Sequence, residues 1–253
     1  MPADHDDAIC LRHREWSETS QTVTLLTRAH GLVHGLAKGS LREKAPFSGG
    51  FELLQLGELG FINKPDRDLL LLTEWDLIDP FSALRTEYRS ATVAMFTGEL
   101  AASLLAPLDP HPRVFAAFRE MLAGLSADPG AFSPAARFLH RLLLETGDAF
   151  EAPAPEPLDA VWAFDPRDGV FRPDPSRQLP ADDPFEPGPS SGVWHLRGDT
   201  LAALAMLADD GPDGLDSGRE PSLRTLRFLA AWACYRASRR PASLGAFLRV
   251  TRI

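Results

Sequence analysis

Between Thr22 and Gly50 the chain reads TVTLLTRAHGLVHGLAKGSLREKAPFSGG, and this stretch constrains the fold more than any other. Val23, Leu25 and Leu32 alternate with polar neighbours, the period-two pattern of a half-buried strand pair. The reading is strand, tight turn, strand, then a basic glycine-bearing loop. Arg28, His30, His34, Lys38, Arg42 and Lys44 all fall inside it, and no other part of the first half concentrates positive charge this way. A small β-unit with basic groups on its loops is expected to dock a nucleic-acid backbone. By itself it is not the signature of an enzyme.

The rest of the composition sets limits on that reading. With 253 residues, 44% hydrophobic and 24% charged, the chain can bury a sizeable core in one large domain or two to three small ones. No apolar run approaches the roughly 20 residues that span a bilayer, so no membrane role is expected. The opening MPADHDDAICLRHRE is acidic and polar and is not read as a secretory signal. Cys10 and Cys234 stand far apart, which argues against a disulfide scaffold and fits a reducing cytosol. The net charge of −9 argues, taken alone, against a phosphate partner. Its distribution says otherwise. Residues 8–50 hold six Lys/Arg against three acids, and residues 219–253 hold eight Arg against one acid. Residues 145–186 reverse the balance, with eleven acids against three Arg. Two basic ends flank an acidic middle, although each end reads equally well as a solvated face.

Five candidate strands occupy residues 8–78: AICLRHRE, TVTLLTR, GLVHGLAKG, FELLQLGELGF and DLLLLTEWDL. Five short strands in about 70 residues suit a small closed barrel such as an OB-fold, because an open sheet would leave edges exposed. The last of them could equally start a helix. From Pro80 the pattern turns helical. FSALRTEYRSATVAMFTGELAASLLA puts Leu84, Tyr88, Val93, Phe96, Leu100 and Leu104 along one broad face. PRVFAAFREMLAGL follows, and then ARFLHRLLLETG, with Ser133 as N-cap, Pro134 at the first helical position and Gly147 as stop. Residues 151–192 hold ten of the 22 prolines and read as an extended or partly mobile acidic insert, with WAFDPRDGVFRPD as a short hairpin. Helices resume from Asp199 to Leu207, ADDGPDGLDSG is a loop, and PSLRTLRFLAAWACYRASRRP is the last helical run.

Few constellations suggest chemistry. His30 and His34 are four apart, but no Glu lies between them and no third metal ligand is obvious, so phosphate contact or a surface role is the expectation. No serine sits in a G-x-S-x-G elbow, and both cysteines lie in apolar runs as inert thiols. GLAKG lacks the spacing of a phosphate loop, and Asp182-Asp183 and Asp209-Asp210 read as solvated acids. Trp16, Phe47 and Phe51 are the aromatics considered for base stacking. Trp16, beside Arg12 and Arg14, either stacks on a single strand or plugs one end of the barrel; for Phe51 the core reading is preferred.

TLLTRAHGLVHGLAKGSLREK, with its LLTR-x-HG turn, A-K-G and basic loop, resembles the N-terminal signature of the RecO family of recombination mediators. AICLRHREWSE resembles that family's first strand, LTEWDLIDPFSALR its barrel-to-helix junction, and LRFLAAWACYRASRRPASLGAFL its closing helix. The resemblance spans nearly the whole chain in the expected order. It implies an α+β architecture: an N-terminal five-stranded OB-fold barrel over 1–79, then an α-helical domain over 80–253 with a zinc-less inserted element. It implies binding of single- and double-stranded DNA, strand annealing, and partnership with RecR, with single-strand-binding protein and indirectly with RecA. The expected location is the cytoplasm, at the nucleoid, and no cofactor is expected. By position, Arg12, Arg14, Arg28, His30, Lys38, Arg42 and Lys44 become DNA-contact candidates, joined by Trp16, His34, Arg236, Arg239 and Arg240. Many family members carry four zinc-binding cysteines in the helical domain. The equivalent segment here, 158–174, has none, so a four-thiolate zinc site is excluded and Val161, Trp162, Phe164 and Phe171 are expected to replace the metal with an apolar cluster. The rival reading is a protein–protein adaptor of the repair machinery with indirect DNA contact, which the acidic total favours. A metal-dependent hydrolase would rest on the His30/His34 pair alone.

Overall fold

The computed structural model describes residues 4–62, 69–177, 185, 192–209 and 223–252. Asp182, Asp183, Asp210 and the glycine-rich stretch after it, expected to be loops, lie outside these residues.

Five strands close into a barrel: β1 (Asp4–Ser17), β2 (Ser20–Thr27), β3 (Gly31–Ala37), β4 (Leu56–Ile62) and β5 (Leu70–Asp79), in the order β1-β2-β3-β5-β4. All neighbours are antiparallel except β3 and β5, which run parallel. Closure settles the ambiguous leucine run as a strand: β5 supplies partners to both β3 and β4, and the barrel would gape without it. The fourth strand begins only at Leu56, later than expected. Phe51, ahead of it, turns into the barrel with Phe47 and packs 4.8 Å from Trp75, so neither phenylalanine is free to stack on a base.

Helices fill the second half: α1 (Ala83–Thr86), α2 (Tyr88–Leu104), α3 (Pro112–Ala127), α4 (Ser133–Glu145), α5 (Gly198–Asp209), α6 (Leu223–Arg236) and α7 (Leu244–Val250). The long helix expected from residue 81 is broken at Glu87, whose backbone is extended, and Tyr88 is 61% exposed instead of lying on the apolar face. Ser133 belongs to the first turn of α4 and makes no capping bond through its side chain. The described part of the acidic insert contributes regular structure. β6 (Val161–Asp165), β7 (Val170–Pro173) and β8 (Trp194–Arg197) form a three-stranded antiparallel sheet with β6 in the middle. Phe164 holds it down, with ring contacts to Phe171, Trp194, Phe228 and Trp232 at 4.7–5.6 Å.

The buried side chains form two clusters, one inside the barrel and one between its outer wall and the helices. Ala8, Cys10, Val23, Leu25, Val33 and Trp75 fill the barrel, whereas Ile9, Leu26 and Leu32 on its outside join the helical cluster. The seam is tightest at Gly31, where φ is +69° and a β-carbon would lie 2.0 Å from the Asp109 carbonyl oxygen. Only glycine meets both demands, and next to it the Leu108 N–H donates to the Leu32 carbonyl at 2.9 Å.

Candidate nucleic-acid interface

The outer face of β1–β2–β3 is divided in two, and the division begins in β1. That strand has two register shifts against β2, and Leu11 and Trp16 are the residues left without a cross-strand partner. Up to Cys10 the strand alternates in the ordinary way, with Ala8 and Cys10 facing the barrel interior and Ile9 facing the helices. Uninterrupted alternation would turn Arg12 and Arg14 inward, into a closed apolar space. The extra residue prevents this. Leu11 packs on the helical core as Ile9 does, and Arg12 and Arg14 emerge opposite Thr24 and Thr22 on the outside.

Two cross-strand rows result: Arg12–Thr24–His34 and Arg14–Thr22–Leu36. The Thr24 hydroxyl and His34 Nδ1 are hydrogen-bonded at 3.0 Å, which fixes the imidazole on the face. Arg12, Arg14, Thr22, Thr24, His34 and Leu69 line an open concavity of about 260 Å³. A second of about 420 Å³ is lined by Trp16, Ser17, Ser20, Leu36, Lys38, Gly39 and Arg42. Because Thr22 and Leu36 are register partners, one in each, the two concavities adjoin as one groove. Trp16 is 67% exposed at one end, so it does not plug the barrel. Arg12, Arg14, Lys38 and Arg42 are exposed and, among the described residues, none has a carboxylate partner. Lys44 is exposed on the same loop but does not line the groove.

Arg28 and His30 lie elsewhere, on the β2–β3 turn. Arg28 faces Asp7 at 3.5 Å. His30 Nδ1 lies 2.8 Å from Asp6 Oδ2, which also accepts the backbone N–H groups of Ala29 and His30, and its ring meets the edge of Phe61. His30 and His34 therefore do not share a strand face, and the four-residue spacing that suggested a ligand pair brings no pair together. Arg236 is engaged within the helical region: its Nε donates to Asp148 Oδ1 at 2.6 Å and its guanidinium lies over Trp232. Arg239 and Arg240 are exposed between α6 and α7. Burial pushes the Cys10 thiol far above its ordinary range and that of Cys234 up to about 12, so neither is a nucleophile near neutral pH. The sequence reading missed the neutral lining: Thr22, Thr24, Leu36, Ser17, Ser20 and Leu69. The alternation Thr22-Val23-Thr24 held the signal for two of them, because a threonine pair on the face opposite a buried valine belongs to a solvated surface.

Comparison with known proteins follows the same division of the chain. A family profile described as "Recombination protein O N terminal" matches residues 1–81. A DNA repair protein RecO of Laribacter hongkongensis is 31% identical over 232 residues, covering 88% of this chain and 84% of the relative. The chain belongs to the RecO family. RecO proteins of Syntrophobacter fumaroxidans and Salinibacter ruber are 32% and 35% identical over 141 and 109 residues. The chain spans about half the length of these two relatives, 56% and 42%. Within this RecO-family barrel, the LLTR-x-HG segment that carried the resemblance makes a turn. The Thr27 hydroxyl donates to the Gly31 carbonyl at 2.8 Å and accepts the His30 N–H at 3.1 Å. The turn lies outside the groove, whereas the A-K-G and the basic loop of the same signature bring Lys38 and Arg42 into it.

Proposed function

We propose that this chain is a DNA-repair and recombination mediator that grips single-stranded DNA along the divided face of its barrel. The supporting observation is the groove itself: four exposed cations without carboxylate partners among the described residues, together with an exposed tryptophan, on the outer surface of β1–β2–β3. That face is one that OB-folds use for oligonucleotides. Arg12, Arg14, Lys38 and Arg42 neutralise phosphates, with His34 and Lys44 beside them, and Trp16 offers a base a stacking surface. Duplex DNA engages the same cations through its backbone alone. Annealing needs only that two strands be held together long enough to pair. Pairing supplies the free energy, so the mechanism calls for no nucleotide hydrolysis. In the cell the protein works with RecR and single-strand-binding protein and assists RecA loading.

Titration of a fluorescent single-stranded oligonucleotide at several salt concentrations tests this. Four phosphate contacts give a log–log slope of roughly −3, at about −0.7 per contact. A flat response would reject the groove as a phosphate site. If binding then appears only when RecR is added, the chain acts as an adaptor instead.

A further inference from the structure

Gln21 is a buried side chain that the groove does not use directly, yet both ends of the basic loop meet on it. It sits on the inner face of β2, 4% exposed, paired across the sheet with Glu15 and Ala37. Its Oε1 accepts the Ser40 hydroxyl at 3.0 Å, at the start of the loop, and the Phe51 N–H at 3.0 Å, just past the loop's end. Its Nε2 donates to the Phe51 carbonyl at 3.0 Å and faces His13 Nδ1 at 3.4 Å. One amide therefore ties together two points eleven residues apart. Gly50 fits against it: φ is +105°, and a β-carbon there would lie 2.9 Å from Gln21 Oε1.

We infer that Gln21 is the positioning residue for the Lys38–Arg42 arm of the groove. Ser40 is fully buried and lies between the two cations, two residues from each. Whatever fixes Ser40 fixes the backbone from which both side chains rise. Among the described residues the arm has two other hydrogen bonds to the barrel, Gly39 N–H to the Ser20 hydroxyl and Leu41 N–H to the Thr19 carbonyl, both at 3.1 Å, and farther along the loop the Trp75 N–H donates to the Pro46 carbonyl at 2.8 Å. Arg12 and Arg14 stand on β1 and are held by its ladder to β2; the clasp reaches that strand only by the 3.4 Å contact to His13 between them. The groove is thus built from two cation pairs with different supports: one carried by a strand, the other by a loop whose two ends meet on a single amide. Loss of that amide frees the loop and leaves buried polar groups unmatched, so the second pair of phosphate contacts is lost while the first persists.

This inference rests on the groove reading, and the test separates the two. Oligonucleotide affinity and its salt slope are measured for Gln21→Met, Arg42→Ala, Arg12→Ala and the two double variants, below the unfolding midpoint of each. Gln21→Met is expected to lower the slope by about 1.4, two contacts at about 0.7 each. Its effect should overlap with that of Arg42→Ala and multiply with that of Arg12→Ala. An unchanged slope, or an effect that multiplies equally with both, overturns the positioning role. If neither arginine variant weakens binding, the groove reading falls and takes this inference with it. Should Gln21→Met not fold, Ser40→Ala removes one bond of the clasp; the same overlap with Arg42→Ala at smaller amplitude is expected, and its absence is equally decisive.

Discussion

The arginines of the barrel groove and the buried or ion-paired arginines of the helical region differ in what surrounds them. In the groove, Arg12, Arg14 and Arg42 have no carboxylate or carbonyl partner among the described residues. Among the helices the same side chain works as internal mortar. Arg227, 4% exposed, donates to both the carbonyl and the hydroxyl of Thr251 at 3.0 Å, and Arg89 caps the neighbouring Val250 carbonyl at 2.9 Å. Together they close the C-terminal end of α7, where free carbonyls and a partial negative charge collect. Arg224 meets Asp199, Arg236 meets Asp148, and Arg167 and Arg172 pair with Asp165 and Asp168. Asp165 is held down to about 2, chiefly by the hydrogen bond from Arg167. A count of basic residues does not distinguish the two uses; what lies within 3–4 Å does.

That contrast can be broken by experiment. The largest effect should come from replacing Arg12, Arg14, Lys38 and Arg42 together with Ala. At about 1.5 kcal/mol or more per charged contact, four contacts come to about 6 kcal/mol, and single-strand affinity falls by about 10,000-fold or more, while the denaturant midpoint barely moves. Arg227→Ala should do the opposite. Removing a buried, hydrogen-bonded cation costs about 3 kcal/mol of stability, read as a lower urea midpoint, with the salt slope of the folded protein unchanged. Trp16→Ala sharpens the groove side: stacking worth about 1–3 kcal/mol per base should vanish for single strands and leave duplex affinity nearly intact. Arg28→Ala, on the far turn, should change stability by no more than about 0.5 kcal/mol and leave the salt slope alone; a slope reduced by one contact would move the binding face to that end. The smallest effect concerns His140 in α4. Burial, and then the charge of Arg141, lower its pKa from the ordinary 6.5. The unfolded chain takes up the proton more readily than the folded one, so this group's contribution is intact above about 6.5 and is lost as pH falls towards the folded value. The urea midpoint of the parent should therefore drop more steeply below pH 6.5 than that of His140→Leu.

The barrel was legible because its signals are local. Alternating residues at Thr22–Leu26, a glycine turn and five spaced apolar runs define it before any contact is known. The hairpin around Gly169 was legible for the same reason. The groove was legible only in part. Arg12, Arg14, Trp16, His34, Lys38 and Arg42 were named from charge and neighbourhood, and they do come together, but the same reasoning also named Arg28, His30 and Arg236, whose partners Asp6, Asp7 and Asp148 are distant in sequence or on another strand. The third strand at 194–197 was not legible, because it pairs with β6 across the proline-rich segment, and two of the rings on Phe164 come from α6, more than 60 residues downstream. Alternation itself misleads at Leu11: a bulge is one residue long and leaves no compositional trace.

That bulge has a consequence for how such chains diverge. Insertions and deletions are usually tolerated in loops, where they change length and little else. At Leu11 a strand absorbs one as well: without that residue Cys10 opposite Leu25 would be followed directly by Arg12 opposite Thr24, and every side chain beyond it would keep its face. Deleting it would leave both guanidinium groups outside and remove only a side chain that packs on the helical core. Chains that differ by this one residue can therefore present the same binding surface, and an alignment with no gap here would superpose residues that face opposite ways.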